Sequence, residues 1–532
     1  MIDQIYRVCR SYAAPDIWTH IKKTWGSALE SGEVPDFTAH EPVLLSLPPF
    51  LPELARLEWA SHEVRHSEIP SSDESRQVSV NPALHLFRFS WKNLARLLGT
   101  GGNGDAGEDE IVPCPEPGEE WVLVWRHPAT GKATAQPASN EDLLALKLIA
   151  EGNGEEMEAM EGLASIYFLH AVIDRAVKKG LLLAPPSRIR RDSSSFPLEK
   201  CAGESVISSS VFTLQWHITQ ACELHCKHCY DRADRSALAL SRAVAVLDDL
   251  YGFCRERYVR GQVSFTGGNP FLYPDFMELY RAASKRGFGL AILGNPVARK
   301  QIEDVVAIEP PLFYQLSLEG LPEYNDEIRG SGHFKRVVDF LGVLRSLGVY
   351  SMVMLTLGKD NMAQVLPLAE MLRDSTDLFT FNRLSLVGEG ARLRLPSKDD
   401  YAAFLHSYTE AADDNPIIGL KDNLINVVRS NKGLEVFGGC TGFGCGAAFN
   451  FLSVLSDGEV HACRKFPSPV GNLLQNRIGE IYDSEAARSY RAGSRACRAC
   501  TLKPVCGGCL AIAHSFGLDI FEERDPYCFI NG

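Results

Sequence analysis

The residues best suited to chemistry are three cysteines in one short stretch. Cys222, Cys226 and Cys229 follow the spacing C-x3-C-x2-C. Residues 211–219, just before them, are rich in β-branched and aromatic side chains, which predicts a strand. The cysteines would then lie in the loop at the carboxyl end of that strand, where α/β folds bind their ligands.

Three thiolates at this spacing can hold three corners of an iron–sulfur cube and leave the fourth iron to another ligand. A zinc site is the alternative, with His225 or His228 as the fourth ligand. Structural zinc, however, is usually held by four protein ligands in paired C-x2-C units. The spacing therefore favours an iron–sulfur cluster.

A second group of cysteines lies near the end of the chain. Of the 15 cysteines, eight fall between residues 440 and 528. They are Cys440, Cys445, Cys463, Cys497, Cys500, Cys506, Cys509 and Cys528. Eight thiolates are the number that two four-cysteine clusters require. Zinc stays an alternative here as well, because four of them, between residues 497 and 509, could form a compact zinc knot.

The composition limits the classes of protein to consider. The chain has 532 residues, too many for one ordinary domain, and 45% of them are hydrophobic, so we expect three or more globular domains. A net charge of -13 argues against a partner that is nucleic acid or an anionic membrane. The sequence shows neither a membrane-length apolar run nor a signal pattern at its start, so we expect a cytoplasmic protein.

Strands and helices alternate between residues 209 and 400, which predicts a parallel α/β sheet. The predicted strands cover residues 211–219, 262–266, 289–293, 313–320, 350–357 and 379–386. Six β/α units form a partial barrel that is open on one side for a large substrate.

The first cysteine motif, with Tyr230 directly after it, resembles the signature of radical S-adenosylmethionine (SAM) enzymes. This resemblance implies a [4Fe–4S] cluster whose open iron chelates the amino and carboxylate groups of SAM. One electron from the cluster would cleave SAM to a 5′-deoxyadenosyl radical, which takes a hydrogen atom from the substrate.

Further motifs resemble the SAM-binding positions of that family. Gly267-Gly268-Asn269-Pro270 is similar to a Gly-Gly-Glu-Pro motif that holds the SAM ammonium group, with Asn269 in place of the glutamate. An amide oxygen can accept a hydrogen bond but brings no charge. The resemblance places Ser317 and Glu319 near the SAM ribose and carboxylate, and Arg329 on the carboxylate itself. It also places Arg383 and Gly388 at the barrel mouth and the adenine pocket.

The eight later cysteines resemble the SPASM domain that follows many radical SAM cores. The resemblance implies two auxiliary [4Fe–4S] clusters, and therefore three clusters in all. The first auxiliary cluster would be held by Cys440, Cys445, Cys463 and Cys509. The second would be held by Cys497, Cys500, Cys506 and Cys528.

The chain thus divides into six predicted segments. They are a helical domain at 1–100, a winged-helix-like module at 115–185, a linker at 186–208, a radical SAM core at 209–400, a bridging region at 401–438 and a SPASM domain at 439–532. Residues 51–60 also resemble a phrase in small partner proteins of peptide-modifying systems. The winged-helix-like module is either a binding site for a leader peptide, gripped as an added strand, or a structural cap.

Together these features predict a radical SAM/SPASM maturase that modifies a ribosomally made precursor peptide. The N-terminal region most resembles maturases of the selenobiotic type. The expected product is a thioether, a selenoether or a related oxidative crosslink, and the expected electron donor is a flavodoxin or ferredoxin. One alternative is formylglycine formation of the sulfatase-maturase kind. The other is a zinc-stapled peptide-binding scaffold without catalysis.

Overall fold

The computed structural model describes residues 2–30, 47–69, 77–99, 114–151, 165–197 and 206–530. The sequence predicts a helix over about residues 157–180, and the start of that helix lies outside the described residues. Contacts within the chain separate two compact units, Met1–Pro186 and Ser187–Gly532. None of the helices in the described ranges is both long enough and apolar enough to cross a membrane.

The first unit combines helices with a three-stranded antiparallel sheet. Its elements are α1 (Ile2–Ile5), α2 (Arg7–Ser11), α3 (Pro15–Glu30), α4 (Leu51–His66), β1 (Ser79–Val80), β2 (Leu84–Lys92), α5 (Leu94–Gly99), β3 (Glu116–Arg126), β4 (Ala133–Pro137), α6 (Asn140–Ala150), α7 (Ile166–Lys179) and β5 (Leu182–Leu183). The sheet has the order β2-β3-β4, and β1 pairs separately with β5. Leu54 and Leu57 of α4 pack in one core with Phe89 and Val122 of the sheet.

One detail of the first unit differs from the sequence expectation. Strand β2 lies inside the segment predicted to be helical, and it pairs with β3 of the next predicted segment. The physical reason is the alternation of Phe87, Phe89 and Trp91, which places aromatic rings on one face of a strand. Ser139, directly before α6, caps that helix through its side chain.

The second unit contains the remaining elements. They are β6 (Val211–Thr219), α8 (Leu240–Arg257), β7 (Arg260–Gly267), α9 (Phe276–Ser284), β8 (Gly289–Leu293), α10 (Arg299–Ile308), β9 (Tyr314–Ser317), α11 (Pro322–Arg329), α12 (His333–Ser346), β10 (Ser351–Leu357), α13 (Val365–Met371), β11 (Leu378–Arg383), α14 (Lys398–Asp414), α15 (Ile425–Asn431), β12 (Phe451–Val454), β13 (Glu459–His461), β14 (Pro469–Asn472), α16 (Ile478–Asp483), α17 (Glu485–Ala492) and α18 (Leu510–Ser515).

Strands β6 to β11 stand in sequence order in one parallel sheet. Each is buried because helices connect it to the next strand, and parallel strands covered in this way are rich in apolar residues. Leu214, Val263, Leu290, Leu316 and Val353, one from each of five neighbouring strands, are almost fully buried. The predicted α/β class and the partial barrel of six β/α units are confirmed.

The barrel sheet continues into the cysteine-rich region. Strand β12 pairs in parallel with β6, and Leu452 lies beside Leu214. Strands β13 and β14 then add in antiparallel fashion, so that the whole sheet has nine strands. The cysteine-rich region is therefore attached next to the strand that leads into the first cysteine motif.

The described part of the segment predicted as a linker, 186–208, belongs to the second unit. Ile189 is fully buried in its core. Arg191 is also buried and donates hydrogen bonds to the carbonyl oxygens of Phe443 at 2.6 Å and Cys445 at 2.7 Å. A segment that buries an isoleucine and a guanidinium in this way is not a free linker. The other predicted domain boundaries stay predictions.

Candidate functional site

The first cysteine motif lies directly against the carboxyl end of β7. Gly267 has φ +135°, and a Cβ atom added there would lie 2.1 Å from the carbonyl oxygen of Thr219. A Cβ atom on Gly268 would lie 2.1 Å from the carbonyl oxygen of Ala221 and 2.8 Å from Cβ of Cys222. Only glycine permits this approach, so the two glycines position the start of the loop.

A second glycine contact holds the other end of the loop. Gly388 has φ +58°, and its added Cβ atom would lie 2.6 Å from the carbonyl oxygens of both Cys229 and Tyr230. The next residue, Glu389, donates its backbone N–H to the carbonyl oxygen of Cys229 at 2.9 Å. Gly388 therefore positions the loop backbone, whereas its predicted place in an adenine pocket stays a prediction.

Hydrogen-bond donors approach two of the three thiols. The backbone N–H of Leu224 and the side-chain amide of Asn295 donate to Sγ of Cys222 at 3.4 and 3.6 Å. Arg329 donates to Sγ of Cys226 at 3.8 Å. Burial raises the pKa of both thiols, and the neighbouring thiols raise it further. A bound metal reverses that preference, since a coordinating thiol is deprotonated.

A buried charged network lies beside Cys226. Glu319 is 2% exposed and accepts hydrogen bonds from Nε of Arg329 at 2.8 Å and from the backbone N–H of Thr356 at 2.8 Å. Nε2 of His228 is 3.4 Å from the same carboxylate. Burial lowers the pKa of His228 to about 4, so this imidazole is neutral at pH 7.

This network bears on the predicted SAM contacts of Glu319 and Arg329. The structure gives Arg329 a carboxylate partner of its own, Glu319, and directs one guanidinium N–H at a cysteine thiol. Ser317 is half-buried at the carboxyl end of β9. All three residues lie on one edge of the sheet, but their contacts with SAM stay predictions.

Asn269, predicted to accept a hydrogen bond from the SAM ammonium group, makes hydrogen bonds within the chain through both its amide oxygen and its amide nitrogen. Its amide oxygen accepts a hydrogen bond from the backbone N–H of Phe271 at 3.4 Å and thereby caps the short helix that begins at Pro270. Its amide nitrogen donates to the carboxylate of Glu223 at 3.1 Å. The amide oxygen is therefore already engaged by the backbone.

Sequence reasoning missed two members of this group, Glu223 and Asn295. Asn295 donates to Oε1 of Glu223 at 2.9 Å. A signal for it was present, because β7 and β8 are neighbouring parallel strands that are followed by the same Gly-Asn-Pro sequence. Equivalent residues after parallel neighbours lie side by side, which brings the two carboxamides to one carboxylate.

Tyr230 ends the loop and faces the cysteine-rich region. The guanidinium of Arg464 stacks on its ring at 4.6 Å and also pairs with Asp231. Burial raises the pKa of Tyr230 to about 12, an effect that Arg464 opposes and the thiols of Cys229 and Cys463 reinforce. Tyr230 therefore lies between a cysteine of the first motif and one of the later group.

The four cysteines predicted for the first auxiliary cluster line one cavity of about 60 Å³. They are Cys440, Cys445, Cys463 and Cys509. Burial and then the thiol of Cys509 raise the pKa of Cys445 to about 11. The structure thus brings this predicted set together, although its members are up to 69 residues apart by number (509 − 440).

Arg383 lines that same cavity. Its guanidinium donates to Asp422 at 2.8 Å and to Asp525 at 3.0 and 2.7 Å. All three residues are buried. Strand β11 ends beside the bridging region and the C-terminal segment, whose two carboxylates neutralise the cation. The predicted place of Arg383 at the SAM site stays a prediction.

The second predicted set is also drawn together. Burial raises the pKa of Cys497, and the thiols of Cys500 and Cys528 raise it further. Burial likewise raises the pKa of Cys506 well above its usual range, with Cys497 among the groups that add to it. These thiols are close enough to influence one another, as ligands of one cluster must be.

Three buried or half-buried cations lie next to the two auxiliary cysteine sets. Their charge balance indicates whether anionic clusters fit at these places. Arg191 donates to the carbonyl oxygen of Cys445, Lys421 lies in the cavity of the first set, and Lys503 lies near Cys497. Within the ranges that the structure describes, none of these three cations pairs with a carboxylate. A buried cation requires a countercharge, and a cluster with four thiolate ligands supplies one.

The zinc alternative requires a different geometry. Over the described part of the chain, no three Cys, His, Asp or Glu side chains surround a point where one metal ion could bind. The described cysteines are all free of disulfide bonds, so the thiols are available as ligands. The donor set fits clusters of several irons at all three places.

Comparison with known families and proteins agrees with this arrangement. The model of the radical SAM superfamily matches residues 216–372. The model of the SPASM iron–sulfur cluster-binding domain matches residues 445–509. The chain therefore contains a radical SAM domain followed by a SPASM domain, as the resemblance of its two cysteine motifs implied, and is an enzyme. SAM and [4Fe–4S] clusters are the cofactors of these two domains.

Three curated proteins are similar to more than half of this chain. AdoMet-dependent heme synthase of Methanosarcina barkeri is 24% identical over 59% of this chain and 95% of its own length. Mycofactocin maturase MftC of Mycolicibacterium smegmatis is 27% identical over 59% of this chain and 82% of its own. The antilisterial bacteriocin subtilosin biosynthesis protein AlbA of Bacillus subtilis is 23% identical over 55% of this chain and 66% of its own.

Proposed function

We propose that this enzyme modifies a ribosomally synthesised precursor peptide by oxidative crosslinking, with a thioether as the first product to test. The observation that carries the proposal is the cavity lined by the four cysteines of the first auxiliary set, of which Cys463 lies near Tyr230 of the radical SAM loop. Two of the three relatives described above are named as a mycofactocin maturase and as a bacteriocin biosynthesis protein. Those relatives support a peptide substrate in preference to a small molecule.

The proposed reaction balances as a two-electron oxidation. SAM held at the first cluster would supply the radical that removes one hydrogen atom from a peptide carbon. The peptide thiol would lose its proton, the carbon–sulfur bond would form, and the remaining electron would pass to an auxiliary cluster. Tyr230 lies near Cys229 of the first motif and Cys463 of the first auxiliary set, and Arg464 stacks on its ring. A flavodoxin- or ferredoxin-type donor would reduce the first cluster, which fits a cytoplasmic enzyme.

The test uses the holoenzyme with SAM, a reductant and short cysteine-containing peptides encoded near its gene. A crosslinked product has lost two hydrogen atoms, has no free thiol and is cleaved by fragmentation at positions that map the bond. A selenocysteine analogue of an active peptide would test the narrower selenobiotic assignment. Recovery of every peptide unchanged, while SAM is cleaved, would argue against a peptide substrate.

Two other products are separated by the same experiment. Formylglycine would carry an aldehyde that reacts with a hydrazide probe, and no crosslink would form. A tetrapyrrole substrate is favoured by one observation, the match over 95% of the heme synthase. Conversion of an iron porphyrin precursor, with no change in any peptide, would support that second candidate. The radical SAM match leaves no support for the zinc-stapled scaffold.

The first unit is proposed to recognise the precursor. Strand β2 forms one edge of the three-stranded sheet, and Leu86 on β2 and Trp121 on β3 are 39% and 37% exposed. An exposed apolar side chain on the edge strand, with a second on the central strand beside it, suits an extended peptide added as a further strand. Glu53 already accepts the backbone N–H of Ser90 at 2.9 Å, so the added strand would lie along the earlier residues of β2.

This part of the proposal is tested by peptide affinity in the full-length protein. We expect the double variant Leu86→Glu, Trp121→Ser to bind an active precursor about tenfold more weakly, as one lost apolar anchor of this size is worth a factor of ten. Tyr251→Ser, which changes another exposed aromatic residue on α8, serves as the matched control. Equal affinity in both variants would assign the first unit a structural role.

A further inference from the structure

Glu223, the residue directly after the first cysteine of the motif, is held by two side-chain amides. Asn269 donates to its two carboxylate oxygens at 3.1 and 3.3 Å, and Asn295 donates to Oε1 at 2.9 Å. Asn269 is 3% exposed and Asn295 is 8% exposed, whereas Glu223 itself is exposed. An exposed carboxylate is thus fixed at the carboxyl edge of the sheet by two buried donors.

The two asparagines are themselves fixed. Asn269 caps the short helix after β7 through its amide oxygen. The backbone carbonyl of Asn295 accepts a hydrogen bond at 2.7 Å from the hydroxyl of Tyr314, which is fully buried. Asn295 also donates to Sγ of Cys222 at 3.6 Å. The same amide therefore connects the cluster cysteine with the carboxylate that follows it.

The other carboxylates described here around the loop at 222–230 form ion pairs, but Glu223 does not. Glu319 pairs with Arg329, and Lys227 of the loop pairs with Glu327 at 2.9 Å. In the portion of the chain that the structure describes, no lysine, arginine or histidine forms an ion pair with Glu223. Neutral amides orient a carboxylate without neutralising it, so the site retains a full negative charge.

We propose that Glu223 is the carboxylate that binds the ammonium group of SAM, and that Asn269 and Asn295 are positioning residues that act through it. The open iron beside these cysteines would hold the amino and carboxylate groups of SAM, and a carboxylate acceptor would give the N–H groups of SAM a charge-assisted hydrogen bond. The proposal rests on the radical SAM domain and is independent of the peptide substrate. It replaces direct contact between SAM and Asn269.

The proposal also explains why an asparagine can stand at position 269. A glutamate there would face Glu223 at hydrogen-bond distance, and two carboxylates so close cannot both stay ionised. With an amide at position 269, the site still has one negative charge, but that charge is on Glu223 of the loop and not on the residue at the strand end. Asn269 and Glu223 therefore depend on each other, and their exchange should preserve the site.

The test is the affinity of SAM for anaerobically reconstituted full-length protein, measured by equilibrium dialysis together with iron content. We expect Glu223→Gln to weaken SAM binding by about 10- to 100-fold, the range for loss of a charge-assisted hydrogen bond. The electron paramagnetic resonance spectrum of the reduced cluster, which reports SAM bound at its iron, should lose its SAM-dependent change at the parent's saturating concentration. Glu327→Gln removes a carboxylate near the same loop and should leave both readouts unchanged.

The exchange variant Glu223→Asn, Asn269→Glu makes the test specific. We expect it to recover most of the SAM affinity lost in Glu223→Asn alone, because the carboxylate and the amide have only changed places. Unchanged SAM affinity in Glu223→Gln, or no recovery in the exchange variant, would overturn the proposal. Loss of iron from Glu223→Gln would also overturn it, since Glu223 would then serve cluster assembly. None of these outcomes involves a peptide, so none bears on the proposed maturase activity.

Discussion

The two cysteine-rich regions of the second unit are held in place by different forces. The loop at 222–230 is fixed at both ends by steric contacts, in which backbone atoms pass directly over Gly267, Gly268 and Gly388, and one buried ion pair, Glu319 with Arg329, lies beside Cys226. The later cysteines are gathered by buried charges, among them Arg191, Lys503 and the pair of Arg383 with Asp525. Close backbone contact leaves an open edge for an exchangeable ligand, whereas buried charge encloses a permanent one.

The comparison has a consequence for robustness. A loop fixed by sterics fails locally when one atom is added, because a Cβ atom either fits or displaces the backbone. A region fixed by buried ion pairs fails more widely when one partner is removed, since the remaining charge is left without compensation. Substitutions in the two regions should therefore differ in which clusters they remove and in how far they lower the stability.

The largest effect is expected from Cys226→Ala. This variant should abolish SAM cleavage and lower the iron content from about twelve to about eight per chain, because each cube contains four irons. Iron and sulfide analysis of anaerobically purified protein gives the content, and chromatography of 5′-deoxyadenosine gives the cleavage. Cys114→Ser changes an exposed cysteine outside the motifs and should retain both. Full SAM cleavage by Cys226→Ala would contradict the assignment of the first cluster.

Gly268→Ala should remove the first cluster while leaving the rest of the protein folded. The added methyl group would overlap the carbonyl oxygen of Ala221 at 2.1 Å and displace the loop at Cys222. We expect SAM affinity to fall at least about tenfold and the two auxiliary clusters to stay loaded. The matched control is Gly252→Ala on α8, where an added Cβ atom meets nothing within 4 Å and alanine suits a helix better. Retention of the first cluster in Gly268→Ala would show that the loop can move.

Asp525→Asn tests the charge-held region. Asp525 neutralises Arg383 and also accepts the backbone N–H of Cys509 at 2.9 Å. Loss of one partner from a buried ion pair costs about 3–5 kcal/mol, so the free energy of unfolding should fall by that amount. We also expect loss of iron from the first auxiliary set but not from the loop at 222–230. Anaerobic denaturant titration and iron analysis measure the two effects.

The control for this variant is Asp248→Asn, which breaks the ion pair with Arg286 on the protein surface. An exposed pair of this kind contributes about 1 kcal/mol or less. If Asp525→Asn were no more destabilising than Asp248→Asn, buried charge would not be what holds the later cysteines together.

The sequence allowed the contiguous features to be predicted, and the fold brought out the rest. The spacing of Cys222, Cys226 and Cys229 and the alternation of strands and helices were sufficient to predict the cluster loop and the barrel. They depend on local periodicity and on ligand spacing, which a sequence displays directly. The contact of Asn269 with Glu223 depends on two separate loops meeting at one sheet edge, which no local pattern displays.

Arg383 is a second residue whose contacts could not be predicted from a local sequence pattern. It was predicted inside the strand 379–386 and is the last residue of β11, but its partners, Asp422 and Asp525, lie 39 and 142 residues further along the chain. The resemblance assigned it to the SAM site, whereas these two carboxylates, which no local pattern indicates, hold it at the cavity of the first auxiliary set. In contrast, the division of eight cysteines into two sets came from a resemblance that already contained this three-dimensional information.

The smallest expected effect is a pH dependence of stability that arises from His333, which is linked to Glu319 beside the loop through Asn325. This buried imidazole accepts or shares a hydrogen bond with Asn325 at 3.2 Å, and Asn325 in turn accepts the backbone N–H of Glu319 at 3.1 Å. Burial lowers the pKa of His333 from 6.5 to about 4. Between those two values the unfolded chain takes up a proton that the folded protein does not. The free energy of unfolding should therefore fall as the pH drops from about 6.5 to about 4, and be independent of this group above that range.

Since one pKa unit corresponds to about 1.4 kcal/mol, His333 should account for about 3 kcal/mol of that fall. In His333→Gln, the amide oxygen can still accept from Asn325, but no proton is taken up. Anaerobic denaturant titrations at pH 7, 5.5 and 4.5 should therefore give a shallower dependence in the variant than in the parent. Parallel curves would mean that His333 is protonated alike in the folded and unfolded chains, and that the steric contacts at Gly268 and Gly388 hold the loop without help from this buried pair.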